Sequence, residues 1–198
     1  KLPPVKIILT GAGRVAKGAM ETLDTAGIRK VNPTDFLTRN FAEPVYVQLS
    51  SADYHERIEG GHFNREEFHK NPERYKSFFS AYAKVGHLLL AGAYWNPKAP
   101  VLFTKEEMSS SEFKIKVIAD ITCDINGSVP TTIRSSMIEE PIYGYNPQTE
   151  MEDEPFKENV ITVMAVDNLP CELPRDSSND FGKDLMDKVI PHLLGDDT

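Results

Sequence analysis

The sequence predicts an α/β fold built on a doubly wound, mostly parallel sheet with helices on both faces, and three observations carry that reading. The chain opens on a short apolar run, Val5, Ile7, Ile8 and Leu9, that stops at Thr10. Gly11, Gly13 and Ala16 follow in the spacing G-x-G-x-x-A, and Val15, Ala19, Met20 and Leu23 then keep helical spacing. Further apolar runs of strand length recur between helical stretches, each ending in a polar or glycine-containing exit, which is the pattern of a parallel sheet.

The first strand and its turn carry the pattern that points to chemistry. A glycine at position 11 lets the chain turn tightly out of the strand. Glycine at 13 lets the backbone approach a pyrophosphate, and small Ala16 lets the helix lie close to the strand. The free N–H groups of the first helical turn, with the helix dipole behind them, then face an anion. The alternative is a glycine-rich turn that binds nothing. The strand before and the helix after favour dinucleotide binding and a Rossmann-like domain over residues 1–198.

Gly27 is a helix terminator, and Ile28 to Val31 reads as a short second strand interrupted by Asn32-Pro33. An acidic residue near the end of that strand would hold the adenosine ribose; the sequence offers Asn32 and, a little later, Asp35. Arg29, Lys30 and Arg39 could instead meet a 2′-phosphate or simply be solvated, so NAD and NADP both stay open. Val45 to Leu49 reads as a third strand. The polar stretch from Ser50 to Asn71 carries His55, His62 and His69, seven apart, which is not a zinc-ligand spacing, and no metal is expected. Pro72 begins an expected helix, PERYKSFFSAYAKVG, with Tyr75, Phe78, Phe79 and Tyr82 as a core-facing stripe.

His87 to Ala91 is the expected fourth strand, leading into Gly92-Ala93-Tyr94-Trp95. Val101 to Met108 reads as a connection and short helix, and Lys116 to Asp120 as a fifth strand ending in a carboxylate. Ile142 to Tyr145 suggests a short strand or hairpin, Glu150 to Glu154 a solvated acidic linker, and Val160 to Val166 the last strand, running into Asp167-Asn168-Leu169-Pro170. From Leu173 to Leu194, Phe181, Leu185, Val189 and Leu193 mark an amphipathic helix. In open α/β sheets, ligands lie beyond the carboxyl ends of the strands. The exits at Gly92 to Trp95, Asp120 to Asp124 and Asp167 to Pro170 are therefore candidate cleft walls, with helix capping the competing role for Asp120.

Composition narrows the class. With 198 residues, 40% of them hydrophobic and 26% charged, the chain is sized for one packed domain. A net charge of −8 disfavours nucleic acid or an anionic membrane across the whole surface, while leaving room for a local basic patch. No run reaches transmembrane length. Two cysteines, Cys123 and Cys171, form no disulfide framework and no C-x-x-C, which fits a reducing, cytoplasmic setting. Asn126-Gly127-Ser128 matches a glycosylation sequon but reads as a turn. A chain entering its first strand by residue 5 is expected to carry no signal or transit peptide, and to be either a mature terminus or one domain of a longer chain.

Four stretches resemble the lysine-ketoglutarate reductase domain of the bifunctional aminoadipic semialdehyde synthases and the lysine-forming saccharopine dehydrogenases, kin to alanine dehydrogenase and the transhydrogenase alpha subunit. They are NPERYKSFF (Asn71 to Phe79), AGAYWNPKAPVLFTKEE (Ala91 to Glu107), IADITCDINGSV (Ile118 to Val129) and AVDNLPCELPRDSSNDFGKDL (Ala165 to Leu185). The last is the most specific. The resemblance implies a nicotinamide-dependent oxidoreductase that makes or cleaves the secondary amine joining lysine to 2-oxoglutarate. It implies cofactor contact at Gly11, Gly13, Arg14 and Val15, and nicotinamide-side contact at Tyr94, Asp120, Asp167, Asn168 and Leu169. It also implies that the lysine and histidine handling protons lie in an N-terminal domain preceding the glycine turn, so no catalytic residue is expected within these 198 residues. The expected partners are that domain, a small amino-acid substrate and a second copy in a homodimer. The rival reading is a stand-alone NAD(P)-binding sensor without catalysis.

Overall fold

A computed structural model describes residues 2–195. β1 (Lys6–Thr10) carries the apolar run, and α1 (Arg14–Thr25) follows the glycine turn. β2 (Arg29–Lys30), α2 (Pro33–Thr38) and β3 (Val45–Leu49) complete the first half. An excursion then builds β4 (His55–Arg57), α3 (Arg65–Lys70), β5 (Tyr75–Ser77) and α4 (Ser80–Ala83). β6 (Leu88–Ala91), α5 (Lys105–Met108), β7 (Val117–Asp120), β8 (Ile142–Asn146), β9 (Met151–Asp153) and β10 (Ile161–Met164) form the second half, closed by α6 (Pro174–Lys188) and α7 (Ile190–Leu194).

Eight of these strands make one sheet in the order β2-β3-β1-β6-β7-β10-β8-β9, while β4 and β5 pair separately. The ladders from β2 through to β10 are parallel, and β8 and β9 add an antiparallel edge. This is the α/β, Rossmann-like architecture expected. Alternation sorts the side chains: Ile8, Val45, Val47 and Leu49 face one core, whereas Ile7 and Tyr46 face the other, with Leu23 of α1. Burial on both faces is what a parallel sheet requires, and it explains why its strands read as continuous apolar runs.

Several local expectations give way to tertiary pairing. The second strand lies at the sheet edge; β3 takes the place beside β1. The expected helix from Pro72 is broken, because Tyr75, Lys76 and Ser77 pair antiparallel with Arg57, Glu56 and His55. Its aromatic residues are nonetheless core, with Tyr75, Phe79 and Tyr82 all at 3% exposure or less. Met151 to Asp153, read as linker, is an edge strand on β8. The single C-terminal helix is two, parted at Val189 where Pro191 supplies no amide proton for a continuing ladder. Neither α6 nor α7 buries a residue.

Candidate functional site at the carboxyl ends of the strands

The glycine turn is pinned from both flanks. The Gly11 amide donates to the Leu49 carbonyl at 2.8 Å, and the Gln48 side-chain amide donates to the Gly11 carbonyl at 2.8 Å. On the other side, the Gly92 amide donates to the Thr10 carbonyl at 3.2 Å. Gly11 sits at φ +108°, and a Cβ there would stand 2.7 Å from the Gly92 carbonyl oxygen. Only glycine fits. A Cβ on Gly92 would in turn meet Val15 Cγ1 at 3.1 Å and the Thr10 carbonyl at 3.2 Å. Gly92 thus lies where the strand order reverses between β1 and β6, and its fit against the turn was not readable without the β1–β6 pairing.

Gly13 differs. A Cβ built on it meets nothing within 4 Å. It precedes α1, whose first turn carries Arg14 and no acidic residue, and no side chain caps the helix. A cation is the wrong sign for a helix start by itself and the right sign beside a bound anion. Arg14 and Val15 are exposed there, Val15 at 48%. α6 passes near this point: Lys188 holds the Asp184 carboxyl below its ordinary range, and the Arg14 guanidinium adds to that effect.

The other exits meet different fates. Tyr94 is 88% exposed just beyond β6. Asp120 is fully buried: its Oδ1 accepts from the Thr122 amide at 3.1 Å and hydroxyl at 2.6 Å, and its Oδ2 accepts from the Thr132 hydroxyl at 2.6 Å. That carboxylate organises the loop after β7. Cys123 follows at φ +51° and gives its Sγ–H to the Ala165 carbonyl at 3.0 Å. Burial pushes the thiol up, and Asp120, Asp167 and Asp124 add to the shift; Asp124 is itself raised, by burial and then by Asp120. Asp167 and Asn168 are exposed and Leu169 half-buried at the β10 exit.

Asp35 is not brought to this group. It stands on α2, accepts from the Asn32 side chain at 3.0 Å and pairs with Arg39 at 2.8 Å. Because β3 lies beside β1, the strand exit next to the glycine turn is Gln48-Leu49-Ser50, and the first carboxylate after it is Asp53. Asp53 is committed to the Ser50 amide at 2.7 Å and hydroxyl at 2.6 Å. Lys30 reaches this region, its Nζ donating to Gln48 Oε1 at 3.3 Å, whereas Arg29 is held by Glu43 at 2.8 Å. Gln48 was signalled in the sequence only as the polar residue interrupting VYVQL. Among the described residues, no group of three His, Cys, Asp or Glu side chains is placed to hold a metal, and no helix is long and apolar enough to cross a membrane.

No protein-family model matches the chain. It is similar to proteins named alpha-aminoadipic semialdehyde synthase, mitochondrial: 28% identical over a 215-residue alignment with that of Rattus norvegicus and 28% over 217 with that of Bos taurus, each covering 98% of this chain. The alpha-aminoadipic semialdehyde synthase of Arabidopsis thaliana is 26% identical over 208 residues, covering 90% of this chain. The chain spans 23% of the length of the mammalian relatives and 19% of the plant one. The similarity agrees with the resemblance carried by residues 71–79, 91–107, 118–129 and 165–185.

Proposed function

We propose that this chain binds a nicotinamide dinucleotide across the β1–β6 switch point, as the cofactor-binding part of an enzyme acting on the CH–NH bond between lysine and 2-oxoglutarate. The observation that carries the reading is the contrast at the turn: the fold itself demands Gly11, while the missing side chain of Gly13 leaves open space in front of a helix start that carries a cation and no acid. That space fits a pyrophosphate, with Arg14 and the first-turn amides as donors. A bound nicotinamide supplies the hydride; the protein orients it and shapes its surroundings. Tyr94 and the Asp167–Leu169 segment stand at the exits that would face the nicotinamide end.

NADPH is proposed to bind at least as well as NADH. Lys30 reaches the β3 exit without an ion-pair partner among the described residues, and Asp53 is already held by Ser50. Fluorescence titration with NADH and NADPH tests both statements. Gly13→Val should abolish binding of either cofactor with the circular dichroism spectrum unchanged. Lys30→Met should weaken NADPH about tenfold, the equivalent of about 1.4 kcal/mol, and leave NADH unaffected. Undiminished binding by Gly13→Val would sink the assignment.

A further inference from the structure

The amino-terminal edge of the sheet, remote from the glycine turn, holds a second feature. A cavity of about 520 Å³ opens there, lined by Lys6, Arg39, Lys84, His87 and Lys114, with Phe41 as part of its apolar wall. Lys6 begins β1, His87 immediately precedes β6, and Lys114 lies just before β7, so the topology gathers these side chains from neighbouring strand starts. β1 spans five residues at about 3.3 Å each, roughly 16 Å between this edge and the turn.

The charges do not cancel. Arg39 is paired with Asp35, Lys84 with Glu112, and the nearby Arg29 with the lining carboxylate Glu43. Lys6 and Lys114 form no ion pair among the described residues, so five cations against three carboxylates leave two positive charges uncompensated. This occurs in a chain of net charge −8.

Each free ammonium is held in place by one carbonyl. Lys6 Nζ donates to Phe36 O at 2.6 Å and lies 5.2 Å from the Phe36 ring centroid and 5.6 Å from that of Phe41. Lys114 Nζ donates to Ser111 O at 2.8 Å. An ammonium has three protons, so each keeps donors in reserve. Lys6 is half-buried, and burial lowers its pKa, the response of a cation lacking an anion. His87 accepts from the Lys6 amide at Nδ1 at 3.0 Å, and that tautomer keeps its proton on Nε2 as a further neutral donor.

We propose that this cavity is a binding site for a compact oxyanion carrying two or more negative charges, held by Lys6 and Lys114. The proposal does not rest on the cofactor reading, because the two sites occupy opposite ends of the strands. Isothermal titration calorimetry at fixed ionic strength tests it, with inorganic pyrophosphate and citrate as separate probes for phosphoryl and carboxylate ligands. Saturable binding of either at this cavity is expected, one-to-one in Gly13→Val where the glycine turn is blocked, about tenfold weaker in Lys114→Gln, a loss of about 1.4 kcal/mol, and weaker again in Lys6→Met/Lys114→Gln. Lys114→Gln alone keeps the test valid if Lys6→Met fails to fold, since Lys114 is exposed. The same affinity is expected in Gly13→Val. Absence of saturable binding by both probes, or binding indifferent to Lys114, overturns the site. So does binding lost in Gly13→Val but kept in the lysine variants, which would put the anion at the glycine turn.

Discussion

Gly11 and Gly13 stand two residues apart and meet entirely different surroundings. A Cβ on Gly11 would collide with the Gly92 carbonyl at 2.7 Å in a backbone region that side chains avoid, and on Gly13 it would meet nothing. Gly11→Ala should therefore cost about 2 kcal/mol or more in urea unfolding, and Gly13→Ala less than about 0.5. Cofactor affinity should fall in the variant that keeps its stability. Equal stabilities for the two would remove the distinction. Asp120 gives the complementary case. Its three accepted hydrogen bonds and complete burial make it the support of the β7 exit, although the motif it sits in suggested a cofactor contact. Asp120→Ala strands two hydroxyls and an amide, for which about 3 kcal/mol of lost stability is expected. A neutral result would show that the carboxylate is held for another purpose.

At the scale of elements, legibility follows the range of the interactions. β1, its glycine turn, α1 and the sheet strands of the parallel core were readable because apolar runs, glycines and helical spacing are local signals. Asp120 could be placed at a strand end but not in its buried pocket, since Thr132 lies twelve residues on in an irregular loop. The place of β3 beside β1 was not readable either, and it shifts attention from Asp35 to the Gln48–Asp53 exit. β5 hid inside a helical pattern, because aromatic spacing alone cannot separate a hairpin arm from a helix, and its partner β4 lay in a stretch read only as polar. That hairpin has its own titration. His55 is 6% exposed, its Nδ1 lies 3.1 Å from the Ser51 carbonyl, its Nε2 has no partner, and burial lowers its pKa to about 4. Above about pH 6.5 the imidazole is neutral whether folded or unfolded. Between there and about pH 4 the unfolded chain takes up a proton that the folded one refuses, so stability falls as pH drops, by roughly 3 kcal/mol at most. Urea midpoints measured from pH 7.5 to 4.5 should show the loss, and His55→Phe should flatten it. An identical profile in that variant would exclude His55 as the cause. The terminal helices offer a second test. Because α6 and α7 bury no residue, ending the chain after Leu173 should leave the melting temperature of the sheet unchanged within about 2 °C, as expected when little packing is lost.

The proposed cofactor and anion sites lie at opposite ends of the strands, and this bears on what the molecule can catalyse. His87 begins at the amino-terminal edge, bonded to the Lys6 amide, so it cannot serve the carboxyl-end cleft. The titratable groups at the β6, β7 and β10 exits named above are a phenol, acids and a thiol: exposed Tyr94; Asp120, whose oxygens are taken up by Thr122 and Thr132; Cys123, pushed up by burial and by three aspartates; and exposed Asp124 and Asp167. Reducing an imine between lysine and 2-oxoglutarate needs a positioned group that exchanges a proton near neutrality. None of these is a lysine or histidine, and the thiol is shifted away from neutrality. The 198-residue chain is therefore expected to quench or enhance NAD(P)H fluorescence without turning over lysine plus 2-oxoglutarate, or saccharopine with the oxidised cofactor. The chain spans 23% of the mammalian relatives, and adding the amino-terminal domain that the family resemblance implies, fused or in trans, should supply the acid–base groups and produce turnover. Stopped-flow and steady-state absorbance at the reduced-nicotinamide band distinguish the outcomes. Steady turnover by the 198-residue chain alone would overturn this reading. Activity abolished by Asp124→Asn or Asp167→Asn, with stability retained, would then assign the proton transfer to one of those two carboxylates.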